Sequence, residues 1–163
     1  MTREEQTIQD DRMRFTKDSL SSGLILIAIV FDALYFVNIY QSDVGSYFYT
    51  WVIGASIIYN LVFMLAAFLA SEGVKSRKSG YTPLLLAIAV MQVVRIFYLP
   101  YRAHNAMTMV NGAEVKVMGS GQFSYTALCL AASAVCLAAA AVNSWRNNKR
   151  LAAHMQTIQN TTA

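Results

Sequence analysis

Charge is what this chain has least of. Thirteen lysines and arginines and nine aspartates and glutamates make 13% of its 163 residues, against about 25% in an ordinary soluble domain. The few charges are segregated, most of them in Met1–Asp18, Lys75–Lys78 and Arg146–Arg150. Cysteine is nearly absent. Cys129 and Cys136 stand seven residues apart, about 10 Å on an ideal helix, which is too far for a disulfide. They say nothing about the redox compartment.

Chemical motifs are missing as well. There are no paired carboxylates, no cluster at metal-ligand spacing and no nucleophile with its base, so neither a metal nor a cofactor is expected. No glycine loop that could cradle phosphate occurs, and aromatics do not interleave with basic residues. The net charge of +4 is therefore not a nucleic-acid signal; basic anchors at a lipid surface explain it. A cleaved leader is not expected either. The first apolar run is too long for one, follows mixed charge and lacks a small-x-small site.

What is present is apolar sequence. Hydrophobic residues make 56% of the chain and mean hydropathy is +0.39. Four stretches, Leu20–Tyr40, Phe48–Ala70, Thr82–Tyr101 and Gln122–Trp145, each approach the ~20 residues needed to cross a bilayer core. The expected fold is an all-α integral membrane protein. It is a bundle of four transmembrane helices with a small extracytoplasmic β-hairpin between helices three and four. One membrane domain covers 1–163: a cytoplasmic leader (1–19), an outer hairpin loop (102–121) and a cytoplasmic tail (146–163) flank and join the spans. The leader is expected as a short surface helix or a disordered segment, and the tail as a continuation of helix four.

Loop charge orients the bundle. The leader, the second loop SEGVKSRKSGY and the tail WRNNKR are basic, whereas QSDVGSY has no lysine or arginine and the third loop only Arg102 and Lys116. Lysine and arginine mark cytoplasmic loops, so both termini are expected inside. Compact helices and short loops make a bacterial plasma membrane the default setting. Aromatics such as Tyr47–Trp51, Phe97–Tyr101 and Phe123–Tyr125 then crowd the outer half, as in an interfacial belt.

Two formal charges fall inside the spans, Asp32 and Arg95. Arginine at mid-membrane costs at least ~2.5–3.5 kcal/mol. Both residues lie about 18–20 Å from the inner boundary at ~1.5 Å per residue, so they are expected to pair. The pair either only fixes helix register or floors a binding site. Gln92, Arg95, Tyr98 and Arg102 share one face of helix three, Ser56 and Asn60 one face of helix two, and Tyr35 stands one turn above Asp32. On helix four, Gln122, Thr126, Cys129, Ser133, Cys136, Ala140 and Asn143 form a heptad seam of small or polar residues, expected to pack closely. GLILIAIVFDALYFVNIY and TPLLLAIAVMQVVRIFYLPY faintly echo each other, as a duplicated helical hairpin would.

In the third loop, Asn111-Gly112 predicts a type I′ hairpin. Val110 would then face Ala113, Thr108 face Val115 and Ala106 face Val117. Three functions follow as expectations. The first is a non-enzymatic accessory subunit, in contact with the lipid bilayer and docking another membrane protein, or a second copy, on Val110, Ala113, Val115 and Val117. The alternative is a small-solute or ion transport component with an outward-facing polar site of Asp32, Tyr35, Asn60, Gln92, Arg95 and Tyr98. A further alternative is a membrane enzyme acting on a lipid or quinone near Tyr101 and His104. The lack of a catalytic set places it last.

Overall fold

The computed structural model describes residues 17–40 and 51–162, without the side chains of residues 52, 110, 155 and 157–162. Most of the leader, the first loop and the expected start of helix two at Phe48 lie outside the described residues. The elements are α1 (Ser19–Tyr40), α2 (Trp51–Lys75), α3 (Tyr81–Tyr98), α4 (Pro100–Asn105), β1 (Met107–Val110), β2 (Ala113–Lys116) and α5 (Ser120–Thr162). Four helical stretches are long and apolar enough to cross a membrane: α1, α2, α3 with α4, and α5. At about 1.5 Å per residue, the 43 residues of α5 reach roughly twice the ~30 Å hydrocarbon thickness. The expected continuation beyond Trp145 is present.

The helices pack in a ring. α1 lies beside α2 and α5, and α3 beside α5 and, more sparsely, α2. This leaves α1 and α3 on one diagonal. Hydroxyl bonds tie neighbours together: Ser22 Oγ with Ser71 Oγ at 2.7 Å joins α1 to α2, and Thr82 Oγ1 with Ser144 Oγ at 3.1 Å joins α3 to α5. The seam residues on α5 are buried or half-buried throughout, Thr126, Cys129, Ser133 and Ala140 most deeply. Large apolar side chains such as Leu26, Leu65, Val90 and Leu128 point outward, so the outer surface of the bundle is apolar too.

Local chemistry explains the ends. Asp18 caps α1: its Oδ1 accepts the Ser21 amide at 3.2 Å and its Oδ2 the Ser21 hydroxyl at 2.9 Å, satisfying an orphan first-turn donor. The same carboxylate accepts from Asn143 (3.4 Å) and Asn147 (3.0 Å) on α5, and the Asp18 amide donates to the Lys75 carbonyl at 3.2 Å. One residue thus clamps three helices. α2 stops in a Schellman arrangement: Arg77 adopts φ 55, its amide donates to Val74 and that of Lys78 to Gly73. The expected third span, Thr82–Tyr101, is interrupted: α3 ends at Tyr98, and Pro100 opens the separate α4. Proline has no amide proton for the carbonyl four residues back, yet suits a first helical position.

The hairpin has the expected register, Met107↔Lys116 through Val110↔Ala113. Asn111 and Gly112 both have positive φ, 52 and 81, as a type I′ turn requires. The Val117 amide donates to the Ala106 carbonyl at 3.0 Å.

Gly73 allows the turn after α2 to fold back, because the Tyr81 ring occupies the place its Cβ would take, whereas a Cβ on Gly54 meets nothing. Gly73→Ala is therefore expected to cost about 1–3 kcal/mol through overpacking. Gly54→Ala, which adds a better helix former where there is room for it, should instead stabilise by up to about 1 kcal/mol. Thermal unfolding of both variants in one detergent checks the contrast.

Candidate functional site: a polar layer around Arg95

The interior is not uniformly apolar. One buried cluster, including Ile25, Ala28, Ala67, Leu85 and Leu137, fills the half next to Lys75. A second, with Tyr35, Leu99, Met118 and Leu130, fills the half next to the hairpin. Between them every long helix contributes polar side chains: Asp32 from α1, Asn60 from α2, Gln92 and Arg95 from α3, Ser133 from α5. Arg95 is 6% exposed and the other four no more than 1%.

The pairing is as expected. Arg95 Nη1 donates to Asp32 Oδ1 at 2.8 Å, across the bundle diagonal. Arg95 Nη2 donates to Asn60 Oδ1. Gln92 Nε2 donates to Asp32 Oδ1 at 3.0 Å and to Ser133 Oγ at 3.2 Å. The guanidinium carbon also lies 4.4 Å from the Tyr35 ring centroid and 4.9 Å from that of Tyr59, within cation–π range. Both amide orientations follow from charge, since Asn60 must present oxygen to Arg95 and Gln92 nitrogen to Asp32.

These commitments leave hydrogen-bonding capacity over. Asp32 Oδ2, Gln92 Oε1, Asn60 Nδ2 and the Tyr35 hydroxyl are buried without a partner among the described residues. Native interiors satisfy such atoms with water or a ligand. Beside the layer, between α2 and α3 where packing is sparse, lies a cavity of about 290 Å3. Arg95 is its charged wall, Ser56, Tyr59 and Tyr98 its hydroxyl-bearing residues, and Met91 and Val94 part of its apolar lining. That space suits a few waters or a small solute.

Of the residues expected at a polar site, Asp32, Tyr35, Asn60, Gln92 and Arg95 come together. Tyr98 does not join the network; half-exposed, it borders the cavity. Sequence reading missed Tyr59 and Ser133. The one signal for Tyr59 is its place three residues after Ser56 and beside Asn60, and in the sequence Ser133 belongs to the packing seam. The expected partner-binding side needs a correction. Ala113 and Val115 are exposed, but Val117 is 7% exposed because it packs in the cluster of Leu99, Ala103 and Met118. The Val110 side chain lies outside the described residues. His104, expected near an enzymatic interface, stacks on Phe123 at 4.8 Å, and its Nδ1 donates to the Met118 carbonyl at 3.2 Å. Both contacts fix the hairpin end of the bundle. Among the described residues, no three His, Cys, Asp or Glu side chains converge as a metal site would need.

No protein-family model, curated protein or solved structure matches the chain. The chemistry of the layer rests on its own geometry.

Removing one member of a buried ion pair strands the other, at about 3–5 kcal/mol, while removing both costs much less. Arg95→Gln alone is expected to destabilise the fold by that amount, and the double variant Asp32→Asn with Arg95→Gln to recover more than half of it. Unfolding midpoints of the two singles and the double, read as a double-mutant cycle, check the coupling. Additive losses would show that the two residues act separately.

Proposed function

We propose that the chain is an integral membrane protein of four spans with both termini in the cytoplasm, acting as a small-solute or ion transport component whose binding site is the cavity at Arg95. One observation carries this reading. The arginine that lines the cavity belongs to a network holding four buried polar atoms that no group among the described residues satisfies. A pair serving only to fix register gains nothing from that surplus, which raises its cost. Arg95 can donate to an entering solute while Asp32, Gln92 and Asn60 rearrange behind it.

The orientation draws support from the shape of the bundle. The start of α1 lies against the end of α2, and Asn147 of α5 reaches Asp18, so the basic segments Lys75–Lys78 and Arg146–Arg150 share one end. The hairpin, with far less positive charge, lies at the other. Segregation of this kind marks the cytoplasmic side.

The accessory-subunit reading stands second. It draws on the hairpin beyond the apolar helices, where Met107 and Met109 are exposed on one face and Val115 on the other, since exposed apolar side chains at such a tip can serve docking. The burial of Val117 shrinks the face it was expected to use.

A thermal-shift panel on the detergent-solubilised protein tests the first reading, with monocarboxylates, inorganic phosphate, halides and neutral amino acids as probes. At least one probe is expected to raise the melting temperature of the parent, with a shift at least halved in Ser56→Val and Tyr98→Leu, which alter the cavity wall but leave the ion pair intact. A panel without any shift, together with stoichiometric co-purification of a second membrane protein, would favour the accessory reading instead.

A further inference from the structure

A second cavity, of about 600 Å3, lies at the end of the bundle away from the hairpin, between the beginning of α3 and the later half of α5. Its lining changes character along its length. Nearest mid-bundle along the helix axes are Leu86 on α3 and Val142 on α5, both half-exposed; Pro83 and Trp145 come next, and Ser79, Asn148 and Lys149 close the end farthest from the hairpin. From Val142 to Lys149 is about 10 Å along a helix. The wall therefore passes from hydrocarbon-like to cationic over the depth at which a lipid passes from acyl chain to headgroup.

Among the described residues no acidic side chain lines this groove, and none there offsets the charge of Lys149. Asp18, the nearby buried carboxylate, is occupied by Ser21, Asn143 and Asn147, and Glu72 pairs with Lys75 at 3.4 Å. Lys149 Nζ lies 3.9 Å from the centroid of the Trp145 ring, which holds the ammonium over the groove while the indole, half-exposed, forms an amphipathic wall. Exposed Arg146 and Arg150 add positive charge on the same helix. The bond between Thr82 and Ser144 fastens the two helices beside the groove, so it is a fixed feature and not a passing gap.

We infer that this groove binds one anionic phospholipid, its headgroup phosphate on Lys149 with Ser79 and Asn148 beside it, and an acyl chain along Leu86 and Val142. Free phosphate would leave the apolar part of the groove, along Leu86 and Val142, empty. A choline headgroup would set its own cation against Lys149. The inference rests on the membrane reading but not on the Arg95 cavity.

Trp145 supplies the probe, and Trp51 is the only other tryptophan. In Trp51→Phe protein embedded in nanodiscs, brominated phosphatidylglycerol mixed into unlabelled phosphatidylcholine is expected to quench Trp145 preferentially. Its advantage over brominated phosphatidylcholine should be about fivefold in apparent affinity, the worth of one lysine near an anionic headgroup. Lys149→Gln should erase that advantage, and Lys116→Gln on the hairpin should leave it unchanged. Equal quenching by both headgroups would overturn the inference, as would a preference that survives Lys149→Gln. Loss of the preference in millimolar inorganic phosphate at constant ionic strength would assign the site to free phosphate and overturn it too. Absence of quenching by either lipid would overturn both the inference and the membrane reading, whereas the thermal-shift panel addresses the Arg95 cavity separately.

Discussion

Arginine in a hydrocarbon environment requires a partner, and the architecture is arranged around meeting that requirement for Arg95. Its counter-ion, Asp32, is on the diagonally opposite helix, so the pair can form only if α1 and α3 stand at one depth and face each other through the centre. Gln92 and Asn60 then satisfy further valences of the two charges, and Ser133 brings α5 into the same layer. Non-specific apolar packing would tolerate many sliding registers of four greasy helices. A buried charge pair tolerates very few, because an offset of one turn leaves both ions unpaired in low dielectric.

The polar layer also separates two kinds of packing. Towards Lys75 the contacts are small and tight, with alanines on α1, α2 and α5 letting backbones approach, and the inter-helix hydroxyl bonds and the Asp18 clamp lie in this half. Towards the hairpin the core uses larger side chains, Tyr35, Ile39 and Leu99, and α3 gives way to α4 at Pro100. The cavity beside Arg95 opens where these two regimes meet, on the sparsely packed α2–α3 side. Firm packing on most sides with one sparsely packed side, between α2 and α3, is what a site needs if a solute is to reach a fixed charge without melting the bundle, and this underlies the preference for a binding role over a purely structural one.

Much was legible in the sequence, and for identifiable reasons. Opposite charges at equal depth predict each other because the energetic cost of leaving either alone is large. Asn111-Gly112 predicts the hairpin register because few residues accept two positive φ angles in succession. The break at Leu99 was less visible, since Pro100 sits among apolar residues that read as one span. Asp18 looked like the last charge of a leader, although an aspartate followed by Ser-Leu-Ser ahead of an apolar run is also a helix start. Tyr59 and Ser133 were not legible as site residues. A single tyrosine or serine on an apolar helix carries no mark of its partner.

By itself, the sequence determined the number of apolar helices, the charge asymmetry of their connections, the pairing of Asp32 with Arg95 and the pairing within the hairpin. Each follows from a constraint acting along the chain or from a cost too large to leave unmet. Tertiary structure decided which helices are neighbours and which lie on the diagonal, that Val117 turns into the core, that Tyr59 and Ser133 join Arg95, and where cavities remain. Those outcomes depend on how side chains from distant segments share the same few ångströms, and no local pattern encodes that.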